Sequence, residues 1–195
     1  MAERKMSMKN RMKKVSALVL AATMAMGTYT SAFAADMTVY MRSIGKNATK
    51  PTPEVTLVVH NVDSRMSLYD ALNTATVANK MLDEGCSLST DWTIGTNEDG
   101  SIDMYLTALS ASNGEKSCSK ANNGKNTILY KKNDKTVGGY YEGNSWMWCM
   151  ADATSYPEDI TLSDQKCLDK DFGIILSYDY SSFEWGDTTG TPEKQ

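Results

Sequence analysis

One segment of this 195-residue chain has the apolar spacing of a long helix, and it limits how the rest can fold. Apolar residues recur at helical intervals from Leu68 to Leu82, which places them on one face of the predicted helix. Ser67 and Asp70 have the spacing of a capping box at its start, and Gly85 is placed to end it. A single main helix with one apolar face needs a sheet to pack against.

The remaining pattern is that of strands separated by turns. A β-branched run at residues 55–60 predicts one strand. Residues 91–94 and 102–106 flank Asp99-Gly100, a dipeptide typical of hairpin turns. Further strands are predicted at residues 127–130, 145–150 and 173–180, with polar loops at residues 110–126 and 156–170. The pattern predicts an α+β domain in which a single sheet packs on one main helix.

The first 35 residues have the three parts of a secretory leader. Six basic residues lie between Arg4 and Lys14, an apolar run follows at residues 15–27, and Ala32-Phe-Ala34 is an A-x-A cleavage motif. The apolar run is shorter than the ~20 residues that a membrane-spanning helix needs. We therefore expect residues 1–35 to be a cleaved signal peptide. The mature protein would be secreted or lie at the extracellular surface, with no membrane insertion after cleavage.

The chain beyond the leader divides into three parts. Residues 36–54 are predicted to be an N-terminal strand or a linker, and residues 55–185 form the folded domain. Residues 186–195 are polar and contain glycine and proline, so we expect a disordered tail there.

The charge of the mature chain excludes some partners. Removing the leader takes away six basic residues and one acidic residue, which leaves 14 basic against 23 acidic side chains and a net charge of −9. An anionic chain of this kind is repelled by nucleic acid and by anionic membrane surfaces. We expect neither as a partner.

The four cysteines, which are Cys86, Cys118, Cys149 and Cys167, all follow the leader. An even number of cysteines in an exported chain favours disulfides, and the absence of a C-x-x-C pair disfavours a zinc site. Of the three possible connectivities, Cys86–Cys118 and Cys149–Cys167 each close a loop around one local unit. We expect two disulfides with that pairing.

Candidates for catalysis and metal binding are weak. His60 lies near Asp63 and Ser64 in sequence, but a triad requires groups that converge in space. Residues 97–103 resemble half of a calcium loop, although the end positions that should be carboxylates are Gly95 and Leu106. We therefore predict no catalytic residue, no metal ligand and no cofactor.

Acidic residues crowd the C-terminal third of the chain. Paired carboxylates there could serve glycoside hydrolysis, which makes a secreted hydrolase a weaker alternative function. The residues are Asp152, Glu158, Asp159, Asp164, Asp169 and Asp171.

Aromatic residues are concentrated in the same third. Trp146 and Trp148 fall on one face of a predicted strand, and Met147 and Cys149 fall on the other. The tryptophans could be sheet core, or they could form an exposed platform for a flat ligand, a glycan or a protein. The other aromatic residues nearby are Tyr140, Tyr141, Tyr156, Tyr178, Tyr180, Phe183 and Trp185.

The order of strand, capped helix, tryptophan strand, acidic turn and closing strand resembles the transcobalamin C-terminal-like domain, a module of secreted and surface proteins of Gram-positive gut bacteria. The family motif W-x-Y-x-V-N-G corresponds to residues 146–152, where Ala151-Asp152 replaces Asn-Gly. A later D-G-D corresponds to Asp169-Lys-Asp171. The resemblance covers about residues 55–185 and implies a β-grasp fold, with sheet strands wrapped around one helix.

Together these observations predict a non-enzymatic module that binds a soluble ligand or a partner. The predicted binding residues are Trp146, Trp148, Asp152 and Tyr178. The resemblance implies a corrinoid-like molecule as one option for the ligand. The alternative is an adhesion or host-interaction protein that uses an aromatic surface to bind an extracellular protein or glycan.

Overall fold

The computed structural model describes residues 34–44, 53–78, 80–96, 101–158 and 160–194. Strands hold 64% of the described residues and helix 7%. The strands are β1 (Ala34–Ile44), β2 (Val55–Asp63), β3 (Ser87–Thr96), β4 (Ile102–Ser112), β5 (Ser117–Ala121), β6 (Asn123–Lys132), β7 (Lys135–Met150), β8 (Phe172–Gly186) and β9 (Thr191–Lys194), and the helix is α1 (Leu68–Ala78).

The strands form two separate sheets. The larger has six strands in the order β2-β1-β8-β7-β6-β9, and the smaller has three in the order β3-β4-β5. All neighbours are antiparallel except β1 and β8, which are parallel. The expected α+β fold, a β-grasp-like domain with one mixed sheet on a main helix, is therefore wrong. The fold is mostly β.

The second sheet consists of three consecutive strands joined by local connections. β3 and β4 pair as the hairpin that the sequence predicts, from Thr96↔Ile102 to Ser87↔Ser112. β4 and β5 then turn at Gly114, whose φ of +86° favours glycine. The chain then passes from β5 into β6 of the larger sheet through Asn122.

The core lies between the six-stranded sheet on one side and α1 with the three-stranded sheet on the other. Alternate residues of β1, β2 and β8 point into it, as the two-residue period of a strand requires. The buried sheet residues are Met37, Val39, Met41, Val55, Leu57, Val59, Ile174 and Leu176. The facing layer contributes Leu68, Ala71, Leu72 and Ala75 from α1, and Leu88, Leu106, Leu109 and Ala111 from β3 and β4.

The predicted helix is present but shorter than its apolar spacing suggests. The capping box is confirmed, since Asp70 N donates to Ser67 Oγ at 3.1 Å and Ser67 N donates to Asp70 Oδ2 at 3.0 Å. The helix spans Leu68–Ala78. Leu82 is buried in a turn beyond it and bridges to Val59 of β2. At 11 residues, α1 is too short and too polar to cross a membrane.

The two expected disulfides are wrong, and all four cysteines are free thiols. The expected pairs were Cys86–Cys118 and Cys149–Cys167. Cys118 lies on β5 opposite Ala111, and Cys149 lies on β7 of the larger sheet. Cys167 contacts the Ser67 carbonyl oxygen at 3.5 Å, and burial raises the pKa of its thiol to about 12. Cys86 follows the turn at 84–85 and is half-buried.

Two segments expected to lack regular structure form strands. Within residues 186–195, Thr191–Lys194 is β9, and it pairs antiparallel with β6. The expected loop at residues 110–126 contains β5 and the beginning of β6. Residues 36–44 belong to β1, a strand inside the larger sheet. The predicted leader, apart from Ala34 and Ala35, lies outside the described residues.

The helix phase can be tested by a pair of acidic substitutions. Leu72 is fully buried, whereas the adjacent Asn73 is only half-buried. Leu72→Asp places an unpaired carboxylate in the core, so we expect it to lower stability by several kcal/mol, on the order of 3 or more. Asn73→Asp should have little effect. Thermal melts followed by circular dichroism measure both, and equal melting temperatures would contradict this packing.

Candidate binding surface

Three of the four predicted binding residues lie on the inner face of the six-stranded sheet. Trp146 and Tyr178 are direct cross-strand partners on β7 and β8, with ring centroids 5.4 Å apart. Trp146 is only 8% exposed, and Trp148 and Tyr178 pack against the core. Asp152 is exposed in the turn after β7.

The polar atoms of these three rings bond to main-chain carbonyls of other segments. The Trp146 indole N–H donates to the Lys120 carbonyl at 3.1 Å, and the Tyr178 hydroxyl donates to the Ala121 carbonyl at 2.6 Å. Both acceptors are in β5, so these bonds join the two sheets. The Trp148 indole N–H donates to the Ile160 carbonyl at 3.2 Å. The rings therefore have structural partners in the fold.

We expect substitution of these residues to act on stability. Trp146→Ala removes a core ring and a bond between the sheets, and it should cost about 3–5 kcal/mol. Tyr178→Phe removes the exposed hydrogen bond to the Ala121 carbonyl, where water can replace the donor, and should cost about 0.5–1.5 kcal/mol. Asp152→Asn, at an exposed turn, should be close to neutral. Urea denaturation compares the three, and a Trp146→Ala variant as stable as Asp152→Asn would contradict the structural role.

A different set of aromatic residues lies on the outer face of the same two strands. Tyr141, Phe183 and Trp185, here called the aromatic strip, occupy odd-numbered positions and so point away from Trp146 and Tyr178. The Tyr141 and Phe183 rings are stacked with centroids 5.4 Å apart, and the Phe183 and Trp185 centroids are 5.8 Å apart. Phe183 is 48% exposed and Trp185 is 41% exposed.

Glycines beside the aromatic strip allow its rings to pack against the sheet backbone. Trp185 pairs with Gly139 across β7 and β8, and a Cβ at Gly139 would overlap ring atoms Cζ2 and Cη2 of Trp185. A Cβ at Gly124 would come within 3.2 Å of the Tyr141 ring. An aromatic ring that covers a neighbouring glycine is a recognised stabilising arrangement in sheets. Its consequence here is that the Trp185 ring packs closely against the backbone of Gly139.

The border of the aromatic strip is formed by hydroxyls and by paired charges. Thr127 is the β6 partner of Tyr141, and Ser181 precedes Phe183 by two residues. Ser181 Oγ lies 2.7 Å from Ser145 Oγ. Two ion pairs lie nearby on β6, namely Lys131 with Glu193 and Lys132 with Asp187. The bond from Lys132 holds the pKa of Asp187 well below its usual value.

The tyrosines on the inner face at this end of the sheet already have partners. Glu142 accepts hydrogen bonds from the hydroxyls of Tyr180 and Tyr140, which lower the pKa of Glu142. The Lys125 ammonium lies 5.3 Å from the centre of the Tyr180 ring. Tyr141 of the aromatic strip is bonded within the chain as well, since its hydroxyl donates to the Asn144 carbonyl at 2.8 Å. Phe183 and Trp185 are the two strip residues that are largely exposed.

The His60 side chain on β2 contacts carboxylates from two other segments of the chain. Its Nδ1 lies 2.9 Å from Asp36 of β1, and its Nε2 lies 3.0 Å from Asp83, between α1 and β3. A triad base needs one ring nitrogen facing the nucleophile, and here both nitrogens face carboxylates. The hydrogen bonds to Asp83 and Asp36 raise the pKa of His60 above 6.5.

Stability should depend on the ionisation of His60. Because its folded-state pKa lies above the unfolded value of about 6.5, its contribution is fully present below pH 6.5. The contribution is lost as the pH rises through the folded-state pKa. We expect the melting temperature to fall over that rise, and His60→Gln should flatten the profile. Melts between about pH 6 and pH 9 test this. Identical pH profiles for the two proteins would contradict it.

The acidic residues named above do not form a metal centre among the described residues. Asp164 accepts bonds from Thr161 N at 2.8 Å and Thr161 Oγ1 at 2.7 Å, which closes a turn. Asp171 accepts from Asp36 N at 2.9 Å. Asp159 and the middle of the half calcium loop, residues 97–100, lie outside the described residues. The hydrolase alternative stays a prediction.

A depression of about 320 Å³ lies on the three-stranded sheet, away from the predicted binding residues. Serines from paired positions of β3, β4 and β5 surround it. The lining residues are Ser87, Leu88, Ser89, Ser110, Ala111, Ser112, Ser117, Cys118 and Ser119. None of the four predicted binding residues contributes to this cavity.

Neither a protein family model, nor a curated protein, nor a solved structure matches the chain. The resemblance to the transcobalamin C-terminal-like domain therefore stays a prediction. The β-grasp fold that it implied is wrong, because the strands form two sheets.

Tyr141, Phe183 and Trp185 belong to the aromatic-rich third of the sequence but are not among the four predicted binding residues. One pattern could have selected them. Phe183 and Trp185 are two residues apart, which puts them on one strand face, and glycines are frequent on β7 at positions 138, 139 and 143. Glycines beside a strand with alternating aromatic residues indicate rings that lie flat on the sheet.

Proposed function

We propose that this protein is a non-enzymatic, extracellular binding module that contacts its partner through the aromatic strip. The observation that carries the proposal is that Phe183 and Trp185 are exposed side by side next to the half-buried Tyr141. Adjacent exposed aromatic side chains are a recurring feature of interaction surfaces, where aromatic residues carry much of the binding energy.

The leader predicted at residues 1–35 supports an extracellular location. Export would bring the aromatic strip into contact with host or bacterial surface polymers. An extracellular location also agrees with the excess of acidic over basic side chains, because a high net charge keeps a protein soluble.

An extended partner has more support than an enclosed small ligand such as a corrinoid. Enclosure requires a concave pocket with apolar walls and a few polar groups. The rings expected to form such a pocket, Trp146, Trp148 and Tyr178, instead donate to main-chain carbonyls and pack in or against the core. The aromatic strip lies on the open outer face of the sheet, which suits a partner that extends beyond the protein.

The proposal can be tested on immobilised gastric mucin, which carries both polypeptide and glycan, and on purified bacterial cell walls. We expect wild-type protein to be retained on at least one of these surfaces. The double variant Phe183→Ser, Trp185→Ser should lose about tenfold or more in affinity, because stacking on both rings is removed.

The matched control is Tyr105→Ser. Tyr105 is 48% exposed and its ring covers Gly95, but it lies on β4 of the other sheet. The control and the double variant therefore both lose a ring that covers a glycine. Comparing their melting temperatures separates an effect on stability from an effect on binding. Retention of the double variant at the wild-type level, or no retention of wild type on either surface, would overturn the proposal.

A further inference from the structure

We infer that the partner of the aromatic strip is a neutral glycan, bound by stacking of its sugar rings on Phe183, Trp185 and Tyr141. This inference rests on the proposed function and adds the chemical class of the partner. It is carried by the shape, the area and the border of the aromatic strip.

The shape of the aromatic strip fits the faces of sugar rings. The rings form a continuous row, with an angle of 27° between Tyr141 and Phe183 and of 48° between Phe183 and Trp185. Aromatic faces carry partial negative charge. A pyranose ring presents several C–H groups, with partial positive charge, on one flat side. Consecutive sugars of a chain can therefore lie along the row, each with one apolar side on an aromatic face.

The area of the aromatic strip is small for a protein partner. Aromatic side chains carry about 150–250 Å² each, and less than half of each ring here is exposed, so the strip offers on the order of 250 Å². A stable protein interface buries about 800 Å² on each partner. An oligosaccharide segment needs a much smaller surface.

The border of the aromatic strip indicates that the glycan is uncharged. Thr127 and Ser181, which are half-buried, provide hydroxyls that can donate to and accept from sugar hydroxyls. The neighbouring charges, Lys131 with Glu193 and Lys132 with Asp187, are neutralised by each other. Without the predicted leader the chain has a net charge of −9, so acidic polysaccharides are repelled.

Affinity electrophoresis in native gels tests this inference. The probes are three soluble neutral polysaccharides, namely a β-glucan, a xyloglucan and a galactomannan, with polygalacturonate as the acidic comparison. We expect at least one neutral polysaccharide to retard the wild-type protein and polygalacturonate not to do so. Trp185→Ala should weaken the retardation by about tenfold, and Tyr105→Ala should leave it unchanged.

Two further measurements guard against a folding defect in Trp185→Ala. Trp185→Phe keeps a ring over Gly139, so it should retain the fold and an intermediate affinity. Titration of wild-type protein with oligosaccharides cut from the retarding polysaccharide should shift its tryptophan fluorescence, and the Trp185→Phe variant should lose that shift. Retardation that is the same in wild type and Trp185→Ala would overturn the inference, as would retardation by polygalacturonate alone.

Failure of this inference can be distinguished from failure of the proposed function. Mucin stripped of its glycans by enzymes is the deciding probe. If no neutral polysaccharide retards the protein, but stripped mucin retains wild type and not the Phe183→Ser, Trp185→Ser variant, the partner is a protein. The glycan inference is then wrong and the proposed function stands. If intact mucin, stripped mucin and cell walls all fail to retain wild type, both are wrong.

Discussion

The contact between β5 and the Trp146–Tyr178 pair is the interaction on which the architecture depends. The two sheets have separate hydrogen-bonding networks, so side chains must join them. The bonds from Trp146 to Lys120 and from Tyr178 to Ala121 fix β5 over β7 and β8. Each ring fills the core with its apolar part and satisfies its polar atom at a main-chain carbonyl, so that no donor is buried without an acceptor.

Local features of this fold could be predicted from sequence, and non-local ones could not. The capping box at Ser67 and Asp70 and the hairpin of β3 and β4 depend on residues close together in the chain. The division into two sheets depends on which distant strands pair. Nothing local in the sequence of β1 selects β8 as its parallel neighbour. The even number of cysteines was misleading for the same reason, because spacing does not report which side chains converge.

The sequence predicted that aromatic residues of β7 and β8 form the candidate site, but it did not predict which face of the sheet carries that site. Alternation along β7 correctly put Trp146 and Trp148 on one face, but the sequence could not say which face the second sheet would cover. The covered face made those rings structural and left the opposite face to Tyr141 and Phe183. Assigning a role to an aromatic strand residue therefore requires knowing what packs on each side of the sheet.

The parallel pairing of β1 with β8 has a consequence for how the chain can fold. Arg42 Nε of β1 donates to Ser177 Oγ of β8 at 2.6 Å, across 135 positions in sequence. A chain that emerges N-terminus first cannot complete its larger sheet until nearly the whole polypeptide is available. Contacts of such long range make folding slow. If the chain is exported as its leader predicts, slow folding would leave it unfolded during translocation. The larger sheet would then assemble only after the chain has reached the outside of the cell.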